Sequence, residues 1–228
     1  MTTTPGSVAR TGMATAPEAA SGQRPGLIHR FSVSERAVHW IHASVVFSLL
    51  ATGAILYFPS LSIAIGRRQV VKDVHLWSAL AWVVALLVVV ILGDRRSLRR
   101  SLREVDRFDA DDGRWLIGKR APQGRFNAGQ KVNLILTGVL TLLLTVSGLL
   151  LWLGEQDTRF RLDGSIALHD GATLISLFLL VGHLYLSLIH PSTRHALRGI
   201  TRGDVREDWA EKHHAKWVED ERERGGRV

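Results

Sequence analysis

The chain has 228 residues, a formal net charge of +8 and 46% hydrophobic residues. It contains no cysteine, which excludes disulfide bonds, cysteine-ligated iron–sulfur clusters and thiolate metal sites from this chain. A basic soluble protein would suggest nucleic-acid binding, but here the apolar residues are concentrated in long blocks and the charges lie between them. We therefore predict a membrane protein with no nucleic-acid partner.

Residues 1–28 are rich in Thr, Ala, Gly, Ser and Pro and have almost no large apolar side chains. This composition predicts a disordered arm, and the absence of a signal-peptide apolar run predicts that the first membrane helix is retained. Ser32 and Glu35 have the spacing of a capping box at the start of that helix.

Four apolar blocks are each close to the ~20 residues that a membrane-spanning helix needs. They predict an all-α, four-helix membrane bundle within residues 29–189, with helices at about 37–57, 74–93, 130–153 and 166–189. Two alternatives stay open for the stretch 94–126, a short interfacial helix or a solvated charged loop. The tail 190–228 is predicted to contain a short amphipathic helix.

The basic residues alternate between the two sides of the predicted bundle. Residues 1–36, 94–126 and 190–228 carry four, ten and nine Lys or Arg, whereas 58–73 and 154–165 carry three and two. By the positive-inside rule, both termini and the middle loop are cytoplasmic.

The fourth predicted helix carries His169 and His183, fourteen residues apart. That spacing is roughly 21 Å along a helix and returns the two rings to within about 40° of one face. Because an imidazole inside a membrane is energetically unfavourable, two on one face require partners. The third helix has no histidine, but its small residues, including Ser147 and Gly148, would let a helix or a flat cofactor approach closely.

The predicted orientation gives each histidine a depth. His75 starts the second helix at the outer level of His169, and His39 and His42 lie at the inner level of His183. Two levels with histidines from two helices are typical of two bis-histidine b haems. Geometry leaves His39 and His42 unresolved, and bare zinc or copper is the alternative, although zinc usually requires four ligands at one level.

Several segments resemble the gamma, or cytochrome b, subunit of membrane-bound respiratory formate dehydrogenase, within the wider family of four-helix dihaem cytochromes b. The resemblance covers about residues 29–217. Its most specific parts are the segments 36–40 (RAVHW), 126–131 (FNAGQK) and 209–214 (WAEKHH), with Trp217 and the His169/His183 pair. Cytochromes b of nickel–iron hydrogenases and thiosulfate reductases share the architecture, but less of the FNAGQK motif and the tail.

The resemblance implies axial ligands for both haems. It assigns His75 and His169 to the outer haem and His39 and His183 to the inner haem, and so favours His39 over His42. It also implies a menaquinone site beside the inner haem, formed by Asn127, Gly129 and Gln130. The alternative for these loop residues is an ordinary helix N-terminus, with Asn127 as the cap and Lys131 as an interface anchor.

The resemblance also implies a function in a bacterial inner membrane. Electrons from formate, oxidised on a molybdenum or tungsten alpha subunit, would pass through an iron–sulfur beta subunit and the two haems to menaquinone or another quinone. Three alternatives stay open: a cytochrome b for another oxidoreductase such as nickel–iron hydrogenase, a membrane metal-binding or transport protein, and a structural anchor.

Overall fold

A computed structural model describes residues 26–225, so most of the predicted N-terminal arm lies outside the described residues. The arm was expected to extend to residue 28, but residues 27 and 28 belong to a strand, Leu27–His29 (β1). β1 pairs antiparallel with Asp204–Arg206 (β2), so that Leu27 is opposite Arg206. Local composition does not reveal this strand because its partner lies near the other end of the chain.

The helices of the described residues are numbered in chain order. They are α1 (Val33–Tyr57), α2 (Pro59–Ile65), α3 (Arg68–Leu92), α4 (Arg95–Asp106), α5 (Ala110–Leu116), α6 (Ala128–Gln156), α7 (Ser165–Leu184), α8 (Leu197–Arg202), α9 (Glu207–His213) and α10 (Ala215–Gly225). After Leu184 the backbone of α7 continues as a π-helical turn over Tyr185–Ile189.

Among these helices, α1, α3, α6 and α7 (with its π-helical turn) are long and apolar enough to cross a membrane. The fold class, an all-α membrane protein with four spanning helices, is therefore confirmed. The capping box at the start of α1 is also confirmed: Ser32 Oγ accepts from Glu35 N at 3.3 Å, and Glu35 Oε2 accepts from Ser32 N at 2.7 Å.

The four spanning helices pack as two hairpins. α1 lies along α3, and α6 lies along α7. Large apolar side chains on these helices point outward, as Leu92 and Phe178 do with exposed fractions of 80% and 79%. Such faces are stable in a bilayer, where lipid tails are as apolar as the side chains.

The parts of the chain outside the hairpins form a small layer at one end of the bundle. Its core is a cluster of Val205, Ala210, Trp217 and Val218, from β2, α9 and α10. The stretch 94–126 contributes α4 and α5, so it is helical rather than only a charged loop. Asp94 caps α4 by accepting from the backbone N–H groups of Arg96 and Ser97.

Candidate functional site

The four histidines predicted as ligands meet in two pairs. The rings of His39 on α1 and His183 on α7 have centroids 6.3 Å apart. The rings of His75 on α3 and His169 on α7 have centroids 6.4 Å apart. Each pair therefore joins one hairpin to the other, and α7 supplies one member of each pair.

The centroid separation fits a metal ion held between two imidazoles. A metal–imidazole bond is about 2.0 Å and the ring centroid lies about 1.1 Å behind the nitrogen, so centroids about 6 Å apart suit one shared ion. Within residues 26–225 no group of three or more His, Cys, Asp or Glu side chains could hold a metal ion. Two-ligand sites fit a haem, whose macrocycle supplies the remaining donors, better than a bare zinc ion.

A threonine on α1 fixes the tautomer of His75. Thr52 Oγ1 donates its single proton to Ser48 O at 2.7 Å and lies 2.8 Å from His75 Nδ1. With the hydroxyl proton directed to Ser48 O, Nδ1 is assigned as the donor and Thr52 as the acceptor. Nε2 of His75 is then unprotonated, which is the state that a metal ligand requires.

The second hairpin repeats this arrangement. Ser147 Oγ on α6 donates to Leu143 O at 2.6 Å and lies 3.0 Å from His169 Nδ1. By the same argument, His169 carries its proton on Nδ1 and leaves Nε2 free. Each hairpin thus orients its own histidine through a hydroxyl on the neighbouring helix.

A glycine follows each of these hydroxyl residues. A Cβ at Gly53 would lie 3.6 Å from His75 Cε1, and one at Gly148 would lie 3.3 Å from His169 Cε1. The two glycines let the imidazole rings lie directly against α1 and α6. The sequence alone does not assign these roles to Thr52 and Ser147, although a hydroxyl residue followed by glycine in an apolar helix is a signal that could indicate them.

The structure separates His39 from His42. His39 faces His183 and makes an edge contact with Trp40, with ring centroids 5.3 Å apart. His42 packs instead against Trp82 of α3, at a centroid distance of 5.7 Å. The observed geometry therefore places His39, not His42, in a histidine pair.

The predicted quinone residues form the N-terminus of α6. Asn127 Oδ1 accepts from Gln130 N at 2.9 Å, and Gln130 Oε1 accepts from Asn127 N at 3.1 Å. This capping box is the arrangement expected from the alternative interpretation of the loop. It uses the two amide oxygens and leaves the two side-chain NH₂ groups outside the cap. A Cβ at Gly129 would lie only 3.0 Å from the Trp115 ring.

Lys131 is not the interface anchor that the alternative interpretation expected. Its Nζ lies 2.6 Å from Asp112 Oδ2 and donates to Arg107 O at 2.8 Å. Lys131 and Asp112 are 8% and 2% exposed. The lysine therefore forms a buried ion pair that attaches α6 to α5.

His214 holds the loop before α6 from the side of the tail. Its Nδ1 donates to Gly124 O at 2.7 Å, and its Nε2 accepts from Arg30 Nη2 at 3.2 Å. Arg30 Nη2 also donates to Arg125 O at 2.7 Å and contacts Gln130 Oε1 at 3.3 Å. We call these five residues the His214 network.

Electrostatics keep this network in one protonation state. Burial, with the positive charge of Arg30 beside it, lowers the pKa of His214 to about 3, so its imidazole is neutral. Burial and the neighbouring Arg125 lower the pKa of Arg30 to about 9. No site role for His214 is predicted from the sequence, where only its position in the WAEKHH segment distinguishes it.

Comparison with known proteins identifies a family that agrees with this geometry. Residues 30–203 match the family described as prokaryotic cytochrome b561. The chain belongs to that family. As a member of the prokaryotic cytochrome b561 family it is a multi-pass membrane cytochrome b, a class that binds haem b.

Curated relatives of this cytochrome b are subunits of formate dehydrogenases. The nitrate-inducible cytochrome b556(Fdn) subunit of Escherichia coli K12 is 24% identical over 203 residues, covering 84% of this chain and 90% of that protein. The cytochrome b556(fdo) subunit of the same strain is 26% identical over 208 residues, covering 88% and 96%. A formate dehydrogenase cytochrome b556 subunit of Haemophilus influenzae is 23% identical over 210 residues, covering 85% and 83%. The predicted resemblance is confirmed.

Proposed function

We propose that this cytochrome b is the membrane subunit of a formate dehydrogenase, carrying electrons from an outward-facing partner to a quinone near the cytoplasmic side. The observation that supports it best is the presence of two histidine pairs at two positions along α7. His169 and His183 are fourteen residues apart, which is roughly 21 Å along the helix. Two sites at that separation span most of the ~30 Å hydrocarbon core.

The four paired histidines would hold two b haems, which supply reversible one-electron carriers when bound. His75 and His169 form the outer site, and His39 and His183 form the inner site. Thr52 and Ser147 keep Nε2 of the outer histidines available by accepting from their Nδ1–H groups.

The quinone site of this proposal lies at the N-terminus of α6. Arg30, just before α1, contacts Gln130 in the first turn of α6, so this helix N-terminus lies at the same end of the bundle as His39 near the start of α1. The NH₂ groups of Asn127 and Gln130 can donate hydrogen bonds to a quinone oxygen. Gly129 lets the Trp115 ring pack against the backbone between them. Protons for quinone reduction would enter from the cytoplasm.

The relatives are named as subunits of formate dehydrogenase, and the partners proposed for this chain follow from those names. An iron–sulfur beta subunit and a molybdenum or tungsten alpha subunit would bind the outer end of the bundle. In this proposal the formate site would lie on the alpha subunit and the iron–sulfur clusters on the beta subunit, because this chain has no cysteine to ligate a cluster.

Single histidine substitutions test the haem assignment. We expect purified wild-type protein to contain two b haems per chain, and His75→Ala or His169→Ala to contain one, because one axial ligand of the outer haem is lost. His42→Ala is the matched control, since His42 is a membrane histidine outside both pairs. Pyridine haemochrome quantification and redox difference spectra give the readout. Two haems in His169→Ala, or equal haem loss in His42→Ala, would contradict the assignment.

Asn127→Ser separates the quinone role from the capping role. Serine is as good a helix N-cap as asparagine, so the helix start is expected to keep its stability. Serine lacks the amide NH₂ group, so we expect a lower rate of quinone reduction with both haems retained. The measurement is formate-to-quinone electron transfer in the assembled complex, beside thermal unfolding of the same sample. An unchanged rate would show that the Asn127 amide does not contact quinone.

A further inference from the structure

A basic pocket of about 370 Å³ lies in the tail beyond α7. Four arginines line it, Arg194, Arg198, Arg202 and Arg206, together with His195 and Trp209. Its volume lies within the ~300–1,000 Å³ range of small-molecule sites. The haem and quinone proposals use none of these residues.

The arginines leave the pocket with unbalanced positive charge. Arg198 pairs with Asp204 and Arg206 pairs with Asp208, each at 2.5 Å. Arg194 and Arg202 have no acidic partner in the part of the chain that the structure describes. Two guanidinium groups are therefore available to an anion in one pocket.

The pocket lies where the chain leaves the membrane. Arg194 follows the last residue of the π-helical turn, Ile189, by five positions. The α8 segment is held against the start of α1, because Trp40 Nε1 donates to Ile200 O at 3.0 Å and Arg36 Nη1 donates to Thr201 O at 2.9 Å. Tryptophan side chains are typical of membrane–water interfaces, and Trp40 places α8 at that level.

We propose that this pocket binds the phosphate group of an anionic phospholipid headgroup. Guanidinium groups match phosphate oxygens with two parallel hydrogen bonds, and Arg194 and Arg202 are free to supply them. Basic pockets beside membrane helices bind anionic headgroups on the cytoplasmic side, which is where the positive-inside rule places this tail. The lipid's acyl chains would lie along the exposed apolar faces of α1 and α7. This inference does not depend on the haem or the quinone proposal.

The experiment compares two charge-matched double variants of the full chain. Arg194→Gln with Arg202→Gln removes the free guanidinium groups of the pocket. Arg96→Gln with Arg99→Gln removes two exposed arginines of α4 that line no part of this pocket. Each protein is placed in phosphatidylcholine nanodiscs containing a small fraction of phosphatidylglycerol, and lipid retained by the released protein is counted by native mass spectrometry.

We expect wild type and the α4 variant to retain one phosphatidylglycerol. The pocket variant should bind it about twenty-fivefold more weakly, at roughly fivefold for each arginine removed. Equal weakening in both variants, or none in either, would overturn the proposal.

A second arm of the experiment adds inorganic phosphate without lipid. Saturable, Arg194- and Arg202-dependent binding of phosphate with no retained lipid would overturn the lipid assignment in favour of a soluble phosphate ligand.

Discussion

At the scale of single residues, the histidines of the His75–His169 pair are supported in the same way on both hairpins. A hydroxyl that already donates to its own helix accepts from the ring nitrogen, and the next residue is a glycine that lets the ring lie against the backbone. Because the supporting residues lie on rigid helices, they cannot move to compensate for a substitution. A small change in one of them is therefore expected to turn the imidazole ring.

Gly148→Ala tests this dependence. The new Cβ would lie 3.3 Å from His169 Cε1, so the ring must move by a few tenths of an ångström. We expect a shifted reduction potential and absorption band for one haem, measured by potentiometric titration. Gly138→Ala on the same helix meets nothing within 4 Å and is the control. It should keep both potentials and gain up to about 1 kcal/mol of stability from helix propensity. Identical titration curves for the two variants would contradict the proposed contact.

At the scale of elements, the His214 network connects three segments that are distant in the chain. The start of α1 contributes Arg30, the loop before α6 contributes Gly124 and Arg125, and the residue after α9 contributes His214. His214 is 1% exposed, so its two hydrogen bonds are shielded from water. The tail therefore acts as a structural support for the loop that carries Asn127 and Gln130.

His214→Ala should loosen that loop. It removes the donor to Gly124 O and leaves a buried carbonyl without its partner, which destabilises a local structure by about 1–3 kcal/mol. We expect faster amide hydrogen exchange over residues 123–130. His213→Ala is the matched control, because the neighbouring His213 is only partly buried and stacks on Trp209 instead. Equal exchange rates in the two variants would show that His214 does not hold the loop.

Lowering the pH should loosen the same loop, residues 123–130, in the wild-type protein. The folded-state pKa of His214 is about 3, below the ordinary 6.5, so a released tail binds a proton that the docked tail does not. The docking of the tail onto the loop before α6 is therefore most stable above pH 6.5. Its equilibrium constant falls as the pH falls towards 3, by up to about tenfold per pH unit. Protection factors over residues 123–130, which correct for the intrinsic pH dependence of amide exchange, should fall in that window in wild type and change less in His214→Ala.

At the scale of the whole molecule, the direction of the chain in the membrane fixes which histidine pair meets which partner. The positive-inside rule predicts that both termini are cytoplasmic, and the cysteine-free sequence makes this prediction directly testable. We expect Asp163→Cys to react with a membrane-impermeant maleimide in spheroplasts, and Lys119→Cys to react only after permeabilisation. Both positions are exposed. The opposite labelling pattern would reverse the assignment of inner and outer sites.

Helical periodicity and charge made the membrane part predictable. The spacing of His169 and His183, with the direction of each helix, predicts two levels at which histidines from two helices meet. The structure separates His39 from His42 by their side-chain neighbours, which the two similar spacings did not do.

The layer outside the membrane was less predictable because its contacts are distant in sequence. Arg30 and His214 are 184 positions apart, and Lys131 has a local pattern typical of an interface anchor although it forms a buried ion pair.

The two-hairpin arrangement has a consequence for biogenesis. Each hairpin orients one histidine of the His75–His169 pair by itself, through Thr52 or Ser147, but both histidine pairs join one hairpin to the other. Outside these pairs the hairpins are also joined by the Lys72–Glu155 ion pair and by the Arg125–Glu35 ion pair. Bound haems would add links between the hairpins within the membrane part. A chain without haem would lack these membrane links, and we expect its polar imidazoles to make it a substrate for quality-control proteolysis. The amount of this cytochrome would then follow the supply of its cofactor as well as the expression of its gene.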